Sequence, residues 1–228
     1  MKYRVEQKYL ITEEKIAYLK YKLEQVMTYD SHAEDGSYTI RSLYFDDMYD
    51  SCLLSNEAGD DFREKYRIRT YNNSKEKIHL EIKGKEAGFT RKEKEEIEVS
   101  DCLALMHRRE WKWKPEDGKV KQKLYAMMML KRMQPVQIVE YDRIPLIEPK
   151  GNVRVTFDKN IVGSSEITSF FDERIPAVPL LPTGHHILEV KYDEFIPDII
   201  KQILNEVHGS KTAFSKYYYA RRNRNLYG

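Results

Sequence analysis

The sequence predicts an α+β fold: roughly eight strands with helices inserted between them, the strands closed into a barrel around a wet interior. Three observations lead there. Segments of strict two-residue alternation recur along the chain, helical periodicity appears between them, and seventeen tyrosines favour extensive β structure. Between Arg63 and Tyr71 the odd positions are Arg63, Lys65, Arg67 and Arg69, with Tyr66 and Ile68 among the residues between. From Lys77 to Lys85 they are Lys77, His79, Glu81, Lys83 and Lys85, set against Ile78, Leu80 and Ile82. Successive side chains point to opposite faces of a strand, so each segment sorts charge to one face and apolar surface to the other. Arg154, Thr156 and Asp158 against Val153, Val155 and Phe157 repeat the pattern, as do Glu189 and Lys191 against Leu188, Val190 and Tyr192. Many strands sharing one charged face suggest a barrel closed around a wet interior.

In chain order, Tyr3 to Ile11 alternates as a strand, with Arg4, Glu6 and Lys8 on one face and Tyr3, Val5, Gln7 and Tyr9 on the other. A helix follows from Glu13 to Met27, with Ile16, Leu19, Leu23 and Val26 at helical spacing. Thr12 suits its N-cap, although Lys15 stands where a capping box has Glu. Asp35-Gly36 turns the chain into a strand through Arg41, Tyr44 and Phe45, and Asp50 to Glu57 reads as a short helix. Strands at Phe62 to Tyr71, Lys77 to Lys85 and Phe89 to Val99 form an antiparallel meander, joined by Asn72-Asn73-Ser74 and by the Gly84 to Gly88 turn. Helices at Asp101 to Arg109 and Val120 to Met133 flank Trp111, Trp113 and Pro115. Strands at Val136 to Arg143, Asn152 to Asn160 and His185 to Tyr192 precede a helix from Pro197 to Val207 and a tail from Ser215 to Arg224.

The 228 residues contain no Pro-, Gly- or Ser-rich linker, so residues 1–228 read as a single domain. A charged content of 33 % beside 41 % hydrophobic residues fits a globular chain with a real core. The formal charge of +2 argues against general nucleic-acid binding: affinity for an anion has to come from where charges are placed. Cys52 and Cys102 are too few for a disulfide framework and lack metal-ligand spacing, which predicts reduced thiols and a cytoplasmic setting. The apolar run Ala126 to Leu130 is too short to span a bilayer, so no membrane segment is expected, which leaves room for a separate membrane partner.

Taken singly, a pair such as Glu6 and Lys8 reads as exposed charge on a strand. The concentration of arginine weakens that reading. Arg67 and Arg69 lie next-but-one on a strand that is otherwise aromatic and β-branched, and an anion between them would relieve their repulsion. Phosphate suits the planar guanidinium fork, with lysine adding a point charge. Glu81 and Glu189 would not bind phosphate directly. They fit Mg²⁺ or Mn²⁺ shared between a carboxylate and substrate phosphates, or else they are charge partners of Lys83 and Lys191. The chain has no Walker A sequence, no G-x-G-x-x-G and no G-x-S-x-G, so phosphate chemistry here depends on side-chain clamps.

These residues fall in an order that resembles the polyphosphate polymerase domain of the vacuolar transporter chaperone (VTC) family, within the CYTH or triphosphate tunnel metalloenzyme superfamily. The resemblance runs from Arg4-Val-Glu-Gln-Lys8-Tyr through Arg41-Ser-Leu-Tyr-Phe-Asp46, Lys65-Tyr-Arg67-Ile-Arg69-Thr-Tyr71 and Leu80-Glu81-Ile-Lys83-Gly-Lys85. It continues through Tyr141-Asp-Arg143, Val153-Arg154-Val-Thr-Phe-Asp158 and Leu188-Glu189-Val-Lys191 to Ser215-Lys216-Tyr217. It implies an antiparallel eight-stranded β tunnel, a closed barrel with helices packed outside, whose bases Lys8, Arg67, Arg69, Lys83, Arg143, Arg154 and Lys216 contact ATP or inorganic polyphosphate, and a metal bound through Glu189, with Glu81 and Glu6 as further candidates. Arg41 and Lys191 join the expected substrate contacts. A further family lysine matches either Lys92 or Lys94. The activity implied is Mn²⁺- or Mg²⁺-dependent transfer of the terminal phosphoryl group of ATP to a growing polyphosphate chain. The alternatives are a tripolyphosphatase or nucleoside triphosphatase of the same superfamily and a non-catalytic polyphosphate-binding module. The hydrolases carry Glu-x-Glu-x-Lys near the N-terminus, and Arg4 replaces their first glutamate.

Overall fold

A computed structural model describes residues 4–33, 35–86, 89–206 and 209–227. Tyr3, Gly88 and Val207, at the ends of expected elements, lie outside the described residues. The strands are β1 (Val5–Thr12), β2 (Thr28–Tyr29), β3 (Tyr38–Asp46), β4 (Phe62–Tyr71), β5 (Ile78–Glu86), β6 (Phe89–Ile97), β7 (Gln134–Glu148), β8 (Val153–Ser164), β9 (Val178–Pro179), β10 (His185–Tyr192) and β11 (Ser210–Lys211). The α-helices are α1 (Glu13–Leu23), α2 (Ser51–Ala58), α3 (Val99–Met106), α4 (Lys119–Lys131), α5 (Asp198–Asn205) and α6 (Lys216–Tyr227). The chain divides into two compact units, the first made of Met1–Thr39, Tyr141–Ile161 and Leu181–Phe214, the second of Ile40–Glu140, Val162–Leu180 and Ser215–Gly228.

In the first unit the strand order is β11-β1-β10-β8-β7, with β2 on β7. β1 runs antiparallel to β10, and β10 to β8. The apolar faces of these strands, Val155, Phe157, Leu188 and Val190, pack with Ile16, Leu19 and Leu23 of α1 and Ile200 and Ile203 of α5. Thr12 has the extended backbone of an N-cap, but its hydroxyl makes no capping hydrogen bond. Glu13 and Glu14 in the first turn and Lys20 and Lys22 in the last suit the helix dipole. α1 stops at Leu23, short of the expected Met27, because the chain bends there and enters β2, where Thr28 and Tyr29 pair with Ile147 and Leu146.

The second unit contains the meander β3-β4-β5-β6, each neighbour antiparallel to the next. Leu43, Phe45, Tyr66, Ile68, Ile78, Leu80 and Ile82 form one face and pack with Cys102, Leu105 and Met106 of α3 and Val120 and Leu124 of α4. Trp111 joins this core and donates its indole N–H to Asp101 at 3.0 Å. Buried Asp46 accepts the backbone N–H groups of Asp47, Cys52 and Leu53 at 2.9–3.0 Å, which supplies the start of α2 with an acceptor. Cys52 and Cys102 are both unpaired thiols, as the cysteine count suggests, and burial pushes the Cys102 thiol up to about 12.

The α+β class and the antiparallel pairing agree with expectation, and α1 and α5 in the first unit and α3 and α4 in the second lie on the apolar face of the strands. The closed eight-stranded barrel is corrected. Among the described residues the pairing ends at β11 in the first unit and at β6 in the second. β11 offers only two residues to β1, and β6 exposes Thr90, Arg91, Lys92 and Lys94, the charged edge that resists a further strand. The strands β2, β9 and β11 have two residues each, too few to show any alternation in sequence.

The turn between β7 and β8 depends on Gly151, whose φ is +74° and whose missing Cβ would collide with the carbonyl oxygen of Phe195. Gly151→Ala is therefore expected to lower stability by more than about 1 kcal/mol. Urea unfolding checks it, and an unchanged midpoint would show that the turn tolerates a side chain.

Candidate functional site

The charged face of the second unit lies opposite its apolar core. Register places Arg67 across from Glu81, Arg69 across from His79 and Lys65 across from Lys83 on β4 and β5. On β6, Lys92 lies across from Lys83 and Lys94 across from Glu81, so all these residues share one face. That face carries Arg63, Lys65, Arg67, Arg69, Lys83, Lys85, Lys92 and Lys94 against two glutamates, Glu81 and Glu96.

Glu81 is the centre of this group and is only 1 % exposed. Arg67 donates to it from Nε at 2.7 Å and lies 2.6 Å away through Nη2. Lys92 Nζ reaches it at 2.7 Å and Arg69 Nη1 stands at 3.7 Å. Burial alone would raise the Glu81 carboxyl, but Arg67, Arg69 and Lys92 overrule it and hold the group well below the usual carboxylate range. Between the two candidate lysines of β6, it is therefore Lys92 that is observed bonded to Glu81. Arg69 also donates to Ser42 Oγ at 3.2 Å. Lys216 opens α6, next to Ser215, whose hydroxyl accepts from Lys65 at 3.2 Å.

The first unit holds a second group. Glu6 on β1 faces Lys191 on β10, and Lys8 faces Glu189, so opposite charges alternate along and across the pair of strands. Lys8 Nζ lies 3.1 Å from Glu6 and 3.5 Å from Glu189. Lys191 Nζ lies 2.6 Å from Glu189 and 3.5 Å from Glu6. Burial would lower the Lys8 ammonium, yet Glu189 and Glu6 outweigh it and raise it. Nearby, Arg143 makes a two-pronged bond to fully buried Asp158 at 2.7 and 2.8 Å, and Arg154 pairs with Asp30. Here every named base has a carboxylate.

The structure thus sorts the expected site residues by unit. Glu6, Lys8, Arg143, Arg154, Glu189 and Lys191 belong to the first, and Arg41, Arg67, Arg69, Glu81, Lys83, Lys92, Lys94 and Lys216 to the second. Arg41 differs from the other bases. It is fully buried, donates Nε to Glu140 at 2.5 Å and gives Nη1 to the carbonyls of Phe170 and Asp172 at 2.8 and 2.7 Å. Sequence reasoning missed the partners: Asp30 and Glu140 lie far from their arginines in the chain, and Tyr44, bonded to Arg67 Nη1 at 3.1 Å, reads in sequence as an ordinary strand tyrosine.

For a divalent cation, Glu6 and Glu189 supply the better donors. They stand on neighbouring strands and share the same two lysines, and Mg²⁺ or Mn²⁺ takes such carboxylates beside substrate phosphates. Among the described residues no three His, Cys, Asp or Glu side chains gather as a metal cluster, so phosphate oxygens would have to complete the coordination. Glu81 fits less well, since three cations already crowd it. Among the described residues, no helix is long and apolar enough to cross a membrane.

The pH dependence of stability follows from these pairings. The Glu81 carboxyl is lowered in the folded state, so its contribution is present above its ordinary value of 4.5 and is lost as pH falls below it. The raised Lys8 contributes fully below 10.5 and loses that contribution as pH rises further. Urea unfolding of Glu81→Gln and the unaltered protein should differ at neutral pH and converge on acidification below 4.5. A gap that stays constant down to strong acid would mean that the three cations do not hold this carboxylate.

The model of the family described as VTC domain matches residues 3–223. No curated protein sequence matches the chain significantly. Among solved structures, a Bacillus halodurans protein whose name proposes it to be an adenylate cyclase aligns with a TM-score of 0.56 at 12 % identity, over 94 % of each chain. A Pyrococcus horikoshii protein aligns with a TM-score of 0.51 at 15 % identity, over 97 % of this chain and 100 % of its own. Likeness at such identities speaks for the fold alone. The family match covers nearly every residue, including both charged groups, and on it the chain belongs to the VTC domain family.

Proposed function

We propose that this chain is a metal-dependent polyphosphate polymerase, which transfers the terminal phosphoryl group of ATP to a growing polyphosphate chain and releases ADP. Membership of the VTC domain family supports a polyphosphate-related function at the coarser level. The observation that carries the reading is the charge excess on the β4-β5-β6 face, where Arg67, Arg69 and Lys92 surround a single buried glutamate and Lys83 and Lys94 extend the same face. Cations held this close repel one another, and a polyanion relieves that repulsion along its length.

In this reading Arg67, Arg69, Lys83, Lys92, Lys94 and Lys216 bind and neutralise phosphates in the second unit. Arg41, fully buried and bonded to Glu140, holds β3 in place. In the first unit Lys8, Lys191, Arg143 and Arg154 are matched by Glu6, Glu189, Asp158 and Asp30, so this set has little net attraction for a bare anion. It suits a phosphate that arrives with its own cation. Glu189 and Glu6 would then turn from the lysines to the metal, leaving Lys8 and Lys191 to donate to phosphate oxygens. When bound, Mn²⁺ or Mg²⁺ would supply charge neutralisation on the phosphates.

The transfer forms a bond from a terminal polyphosphate oxygen to the γ-phosphorus and breaks the bond from that phosphorus to the β–γ bridging oxygen, whose electrons leave with ADP. The attacking phosphate oxygen is already an anion, so the chemistry needs no general base. Positioning and electrostatic stabilisation by the bases can carry it.

Incubation with ATP and Mn²⁺ followed by product sizing is expected to yield ADP and long acid-stable phosphate chains. Orthophosphate as the product would instead establish a hydrolase, and polyphosphate binding without ADP release would establish a binding module. Glu189→Gln is expected to cut turnover by roughly a hundredfold or more while polyphosphate binding, read by calorimetry, changes only a few-fold. Full turnover by that variant would remove Glu189 from the metal role.

A further inference from the structure

The second unit contains a buried polar chain that the reaction scheme leaves unused. It starts at Asp46, which is fully buried and accepts the Tyr217 hydroxyl at 2.5 Å in addition to its backbone donors. Tyr217 is 2 % exposed, and its ring stacks on that of Tyr44 with centroids 4.8 Å apart and an interplanar angle of 26°. Tyr44 in turn is the cross-strand neighbour of Arg67, and its hydroxyl accepts from Arg67 Nη1 at 3.1 Å. Arg67 is therefore gripped both by Glu81, through Nε and Nη2, and by Tyr44, through Nη1.

A guanidinium held by one carboxylate oxygen can still roll about that contact. A second acceptor at another nitrogen removes the roll and leaves the remaining N–H groups aimed in one direction. Tyr44 can serve as that acceptor only if its own ring is held. Its neighbour Tyr217 supplies the support, and Asp46, two residues beyond Tyr44 on β3, fixes Tyr217. Burial would raise the Tyr44 hydroxyl, but Arg67, Arg69 and Lys216 prevail and lower it, consistent with a ring set among the bases. The same docking brings the start of α6, with Lys216, to these bases.

We propose that Tyr44 and Tyr217 are positioning residues for Arg67, Tyr217 acting through the Tyr44 ring, so that the C-terminal helix presets the phosphate-facing guanidinium. The consequence for binding rests on the phosphate-binding reading given above; the orientation of Arg67 does not.

The test uses Tyr44→Phe, Tyr217→Phe and the double variant of the full chain, with tripolyphosphate as the probe. Each single change should weaken calorimetric binding roughly tenfold, the size expected for one hydrogen bond to a charged group. The double variant should bind no more weakly than Tyr44→Phe alone, because Tyr217 acts only through Tyr44. Losses that simply add, or an unchanged affinity in Tyr217→Phe, overturn the proposal. A second readout needs no ligand: the Arg67 Nε–H resonance, assigned by its absence in Arg67→Lys, should shift or broaden in both single variants. A resonance unmoved in Tyr217→Phe also overturns the proposal. If the unaltered protein binds no tripolyphosphate while the resonance responds as expected, the positioning role stands and the phosphate-binding reading falls.

Discussion

A charge withdrawn from water must meet an opposite charge or a set of hydrogen bonds, and in this protein that requirement acts on whole strand faces. Alternation commits the apolar face of β4 and β5 to α3 and α4, and that of β8 and β10 to α1 and α5. Whatever lies on the other face must then be reconciled with its neighbours across the sheet. Glu81 shows the constraint at its strongest, as a buried carboxylate kept ionised by two arginines and a lysine. Remove that carboxylate and three cations would face one another at close range. Strand register and the choice of acid and base at each register position are linked through this one balance.

The two units meet the constraint differently. In the first, Glu6, Lys8, Glu189 and Lys191 alternate in sign across β1 and β10, and Arg143 and Arg154 each have an aspartate, so charge is balanced locally. In the second, bases outnumber acids along β4, β5 and β6, and the imbalance is tolerable because much of that face retains contact with water. The first set is neutral as a whole, and the second carries a net positive charge. The near-neutral charge of the whole chain conceals this difference.

The fold was legible wherever a pattern repeated within one segment. The meander could be read because Arg67, Ile68 and Arg69 belong to a run long enough to show period two, and α1 because Ile16, Leu19 and Leu23 recur at helical spacing. β2, β9 and β11 were illegible, since two residues have no period, and barrel closure was misjudged because edge pairing depends on distant backbone. In the candidate site the bases were legible from motif and alternation. Their partners were not: Asp30 with Arg154, Glu140 with Arg41 and Tyr217 behind Tyr44 are separated by many residues and brought together only by folding.

By itself, then, the sequence determined which side chains share a strand face, because backbone geometry sends alternate residues to opposite sides whatever surrounds them. It determined the apolar stripes that bind the helices to the sheet for the same reason. Tertiary structure decided which charges are matched and which remain in excess, where the strand pairing stops, and that Arg67 is held between a glutamate and a tyrosine. Those outcomes depend on cross-strand register and long-range packing, which are properties of segments brought together and of no segment alone.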